Sequence, residues 1–158
     1  MVRLFSVIAA MLGMLAAGCA SERPAAGLRG FTWSYMQDPQ EGAKLAYGVP
    51  ASDDVAVMFS CQPGSGEVRL DAHGAGPEGL ILASQGSTAR LDTVAVDGGP
   101  GGAPLMAANL AAADKTLARF ADTGQLQLIT GGHSAPLDAS GADKGQVKRF
   151  FAACRHKA

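Results

Sequence analysis

The 158-residue chain carries 13 basic and 14 acidic residues, a formal net charge of −1. That balance argues against nucleic acid as a partner and against a polybasic membrane patch. Hydrophobic residues make up 47%, enough for one buried core, while 21 glycines and only 6% aromatics point to many turns and a core of small aliphatic side chains.

Met1–Cys19 reads MVRLFSVIAAMLGMLAAGC. Arg3 supplies a positive start, and Leu4–Ala17 is an apolar run without charge. This is the pattern of a secretory signal. The run is shorter than the roughly 20 apolar residues needed to cross a bilayer as a helix. Leu15-Ala16-Ala17-Gly18-Cys19 resembles the lipobox of bacterial lipoproteins, with Leu one place earlier than is usual there. The resemblance implies removal of residues 1–18 and lipid on the Cys19 sulfur. Acyl chains contribute about 0.8 kcal/mol per buried methylene, and stable anchoring takes more than one chain. The chain would then sit in the bacterial cell envelope, facing the periplasm, and Ala20 in place of Asp favours the outer membrane over the inner. Two alternatives stay open: plain signal cleavage after Ala20, since Gly18-Cys19-Ala20 is a small-x-small site, and an uncleaved anchor.

About 140 residues remain after the signal, which suits one domain. Residues 20–30 contain Ser, Glu, Pro and Gly without an apolar period, so residues 19–30 form a tether and residues 31–158 a single β-rich domain. Three cysteines is an odd number for an exported chain. If Cys19 takes lipid, Cys61 and Cys154 are left to form a disulfide closing a loop of about 93 residues, worth roughly 4–5 kcal/mol. Two buried free thiols are the alternative.

In chain order, Phe31–Met36 and Ala43–Val49 are predicted strands around the turn Asp38–Gly42. Val55–Cys61 is a nearly continuous apolar strand. Glu67–Ala72 alternates, with Val68, Leu70 and Ala72 on one side. Leu80–Ser84 and Ala89–Val96 are predicted as two further strands joined at Gln85-Gly86-Ser87, and Asp97–Pro104 as a loop. Asp114–Asp122 places Leu117, Phe120 and Ala121 on one helical face, ended by Gly124. Leu126–Thr130 is a strand, with Ser134–Asp138 its expected partner across Gly131-Gly132. Ala142–Arg155 is a helix whose inward stripe is Val147, Phe150, Phe151 and Cys154, with Ser140 or Asp138 available to cap it. The expected fold is α+β: a mainly antiparallel, curved sheet forming a sandwich or barrel-like core, with the C-terminal helix packed on it.

Motifs for chemistry are sparse. Gly74–Gly79 spells GxGxxG, but a strand and not a helix is predicted to follow, so a nucleotide site is not expected. His73, His133 and His156 lack metal-binding spacing. His133, Ser134 and Asp138 are the residue types of a hydrolytic triad, yet adjacent strand residues point to opposite faces and no G-x-S-x-G elbow is present. Asp53-Asp54 reads as a solvated bend. Two uses are open to Trp33, Tyr35 and Tyr47 on the first hairpin, core packing or a binding surface, and so small an aromatic inventory favours packing. No catalytic set, metal site or cofactor is assigned.

The Trp33 strand, the apolar strand ending in Cys61 and the final helix ending Phe150-Phe151-Ala152-Ala153-Cys154 together resemble small exported proteobacterial proteins of the invasion-associated locus B type. That resemblance implies a disulfide-stapled β-rich fold without catalytic residues. Ser87-Thr88-Ala89-Arg90 resembles the Ser-Gly-x-x-Tyr loop of membrane-bound lysozyme inhibitors, without its Gly and Tyr. The expected function is a non-enzymatic, lipid-anchored binding or scaffolding role toward an envelope protein or cell-wall partner. The alternatives are lysozyme inhibition and a hydrolase or metal-dependent enzyme using His73 and His133.

Overall fold

The computed structural model describes residues 30–73, 79–98 and 105–155. Cys19, the signal segment, the tether up to residue 29, residues 74–78 of the glycine motif, most of the 97–104 loop and His156 lie outside the described residues.

The chain is α+β, with two antiparallel sheets and two helices. Strands β1 (Thr32–Asp38), β2 (Gly42–Gly48), β3 (Val55–Cys61) and β4 (Glu67–His73) form a meander. The chain then leaves that sheet for the hairpin β5 (Leu80–Ser84) and β6 (Ser87–Leu91). It returns as β7 (Val94–Val96) and β8 (Leu105–Ala111), where β8 pairs with both β4 and β7. Helix α1 (Lys115–Thr123) leads to β9 (Gln127–Thr130), which pairs with β5, then to β10 (His133–Pro136) and helix α2 (Ala142–Arg155). The sheet orders are β1-β2-β3-β4-β8-β7 and β10-β9-β5-β6, so neither closes and the barrel-like alternative does not apply.

Two expectations need correction. The predicted strand Ala89–Val96 is two strands in different sheets, broken at Asp92-Thr93, where the chain crosses between them. β8, which the sequence did not suggest, occupies an interior place in the larger sheet.

The two-residue period of the strands explains which faces are buried. Trp33, Leu45, Tyr47, Val57, Phe59, Val68 and Leu70 point inward and join one core with Leu80, Leu82, Leu117, Phe120 and Phe151. Helix α2 lies on β1, β2 and β4, and α1 packs on α2 and on the β5–β6 hairpin. The opposite face of the larger sheet carries Lys44, Met58, Arg69 and Asp71. There Arg69 grips Asp71 through Nε and Nη2, at 2.8 to 3.0 Å. That hydrogen-bonded carboxylate raises the guanidinium pKa.

The caps follow from local chemistry. Asp114 accepts from Thr116 N at 2.8 Å and so starts α1. Gly124, at φ 75°, ends it in the left-handed conformation, and a Cβ there would meet the Ala139 carbonyl at 2.5 Å. Asp138 does not cap α2: its Oδ1 accepts from Leu126 N at 3.0 Å. In the first hairpin, Asp38 Oδ1 accepts from Gln40 N and Glu41 N at 2.7 and 2.9 Å. Those two bonds to the ionised form hold the Asp38 carboxyl below its ordinary pKa.

Candidate functional site

Cys61 ends β3 on its inward face, and Cys154 lies on the buried stripe of α2. They form a disulfide with Cα atoms 5.8 Å apart across 93 residues of sequence. The β3–β4 turn completes the joint. Gly64 N donates to Ala153 O and Gly66 N to Cys154 O, at 2.9 and 3.1 Å. A helix leaves its last carbonyls without intrahelical partners, and here a turn from the sheet supplies them. Ala112 N donates to Gly66 O at 2.8 Å, and Arg155 Nε to Ala112 O at 2.9 Å. The bridge, the turn, the end of β8 and the end of α2 are therefore one structural knot.

The aromatics divide unequally. Trp33 and Tyr47 are buried, at 2% and 4% exposure, so a binding surface built from them is corrected to core packing. Trp33 sits 5.1 Å from the Tyr47 ring, 5.2 Å from Phe120 and 5.9 Å from Phe59, centroid to centroid. Burial, reinforced by the carboxylates of Asp138 and Asp143, pushes the Tyr47 phenol above its ordinary pKa. Tyr35 alone of the three reaches solvent. Its hydroxyl donates to Gln37 Oε1 at 2.7 Å, and Arg149 lies 5.7 Å from its ring centre.

The residues proposed for hydrolysis or metal binding are separated. His73 ends β4 in the larger sheet, His133 begins β10 at the rim of the smaller one, and both are exposed. Ser134 Oγ donates to Gln127 Oε1 at 3.4 Å, and Asp138 holds Leu126 N, so neither is turned to His133. Among the described residues no group of three or more His, Cys, Asp and Glu side chains converges as a metal site. Asp53 and Asp54 lie in the exposed β2–β3 turn, where their carbonyls accept from Val55 N and Val49 N. The strand β5 follows Gly79 directly, so the helix N-terminus that a nucleotide motif requires is not at that place. Ser87–Arg90 is part of β6, paired along its length with β5, and does not form a protruding inhibitory loop.

The structure brings together a different set around the β5–β6 turn. A cleft of about 380 Å³ lies on one side, lined by Ser84, Gln85, Thr88, Gln125, Gln127 and Asp138. A second, of about 500 Å³, lies on the other, between the turn and Lys115, Arg119 and Asp122 of α1. Gln85 and Gly86 separate them, both at positive φ, 38° and 76°. Two left-handed central residues make the tight hairpin turn whose twist matches the strands. Glutamine bears that conformation with a side-chain bond from its Nε2 to Gln125 Oε1, at 2.8 Å. The far wall is equally fixed: Ser84 Oγ donates to Gln125 O at 2.7 Å, and Ser87 Oγ lies 3.0 Å from Thr116 Oγ1. Such a site offers amides and hydroxyls at set positions, which is the chemistry of hydrogen-bonded recognition of a polar ligand. The sequence marked Gln85-Gly86-Ser87 only as a turn. Gln125 and Thr116 carried no signal, because only the β5–β9 pairing and the docking of α1 bring them to it.

Comparison with models of protein families, with curated proteins and with solved structures found no match to this chain.

Proposed function

We propose that the chain is an envelope lipoprotein, anchored by lipid on Cys19 at the outer membrane and facing the periplasm. Its domain has a non-catalytic role, holding an envelope protein or cell-wall partner at the polar clefts beside the β5–β6 turn. One observation carries the reading: the bridge between Cys61 and Cys154 uses two of the three cysteines. A buried structural disulfide suits an oxidising compartment and leaves Cys19, behind its apolar leader, as the one cysteine outside that bridge. The fixed amides of the clefts support binding without an assembled acid–base pair.

Cells fed a radiolabelled fatty acid should incorporate label into the wild-type chain and none into Cys19→Ser, which should move from the membrane to the soluble fraction. A mature chain without label that begins at Ser21 would sink the anchor. A photoreactive side chain at Thr88 tests the binding role in intact cells. It should give a defined adduct that the same group at exposed Ser65 does not, and equal adducts from both positions would remove the clefts from the proposal.

A further inference from the structure

The near-zero net charge conceals a segregation. Residues 30–114 hold ten acidic and three basic side chains, whereas residues 115–158 hold three acidic and seven basic. Four of those seven cations, Lys144, Lys148, Arg149 and Arg155, are exposed on the single helix α2, against one acid, Asp143. At 3.6 residues per turn, Lys144, Lys148 and Arg155 fall in one stripe, within about 40° of one another, and Arg149 lies further round the outward arc. None of the four forms an ion pair; those among the described residues are Lys44–Glu41 and Arg69–Asp71, both on the far face of the larger sheet. Arg149 donates to Gln146 Oε1 and Arg155 to a backbone carbonyl, which orders both without neutralising either.

The place of the anchor matters as much as the charge. Residue 30 leads into β1, and α2 packs directly on β1, where Tyr35 meets the Phe150 ring at 6.4 Å. Twelve residues separate Cys19 from that strand, a span of at most about 47 Å fully extended. A lipid on Cys19 thus keeps the cationic helix within reach of the bilayer surface.

We propose that the exposed face of α2 docks on the anionic headgroups of the membrane that carries the anchor, leaving the far face of the larger sheet, where the cations are paired with carboxylates, turned away. This rests on the lipoprotein reading, and it replaces the sequence expectation that no basic membrane patch exists. The overall charge averaged the patch away. Anionic headgroups attract each juxtamembrane cation separately, and the attraction fades within a Debye length, so a short tether is what makes four cations effective.

The mature wild-type chain should be reconstituted in vesicles of phosphatidylcholine alone and of phosphatidylcholine with equimolar phosphatidylglycerol. Brief acetylation then reports on each lysine by mass spectrometry. Lys144 and Lys148 should label about threefold or more slowly in the anionic vesicles, and about 1 M salt should abolish the difference. Lys44, on the opposite face of the sheet, should label equally in both. Equal labelling of Lys144 and Lys148 in the two lipids overturns the proposal. So does protection already present in phosphatidylcholine, which would mean that a second copy covers the helix. The intact mass of the same sample separates the two readings. A chain without lipid overturns anchor and docking together, while a lipidated chain with uniform labelling overturns docking alone.

Discussion

Replacing both Cys61 and Cys154 by Ala should lower the unfolding free energy by about 4–5 kcal/mol, the largest loss expected from removing one covalent feature. The bridge closes 93 residues, and most of the domain lies inside that loop. Cutting it releases that constraint from the unfolded chain and leaves most native contacts in place. The hydrogen bonds from Gly64 and Gly66 to the end of α2 should survive, so the variant should fold to the same secondary structure with a lower urea midpoint. Reductant added to the wild type should reproduce the shift and leave the double variant unmoved. A double variant within about 1 kcal/mol of wild type would show that the turn and Arg155 hold the helix without the bridge. Both cysteines are changed together because removing one leaves its partner as a thiol in the same buried site.

How much of this was legible follows from local signals. β1 to β4 were readable because their apolar residues alternate or run together between Gly, Pro and Asp turns. α2 was readable to its end residues because Val147, Phe150, Phe151 and Cys154 keep a helical period. β8 was not. Its sequence, LMAANLA, has no β-branched residue and is rich in helix formers. What makes it a strand is its place between β4 and β7, where both of its edges are paired. The break at Asp92-Thr93 was hidden for a related reason. Alternation runs through ARLDTVAV with no glycine or proline, and nothing local says that the chain changes sheets there. The clefts were beyond sequence because Gln85, Thr116 and Gln125 come from three segments joined only by tertiary pairing. The charge segregation was present in the sequence, yet net charge erased it, and only the packing of α2 on β1 shows that the cationic helix lies beside the first strand of the domain.

Trp33→Ala should cost about 3–5 kcal/mol, the range for emptying a large aromatic site in a packed core. Trp33 belongs to the rim strand of its sheet, where a side chain would ordinarily be half exposed. It is buried because the Tyr47, Phe59 and Phe120 rings surround it, bringing β2, β3 and α1 to one place. Its Nε1 also donates to Leu137 O at 2.9 Å, and Leu137 N in turn donates to Leu126 O at 2.8 Å. Through that chain the indole fixes the segment that carries Asp138 past one cleft and into α2. Trp33→Phe should retain most of the ring contacts while leaving the Leu137 carbonyl without its donor, a loss of about 1–3 kcal/mol. Urea unfolding followed by far-UV circular dichroism suits both variants, because the chain has no other tryptophan to report by fluorescence. If Phe proves as damaging as Ala, the hydrogen bond and not the ring packing is what the strand depends on. If both fall within about 1 kcal/mol of wild type, β1 is held by its backbone ladder to β2, and Trp33 has no organising part in the core.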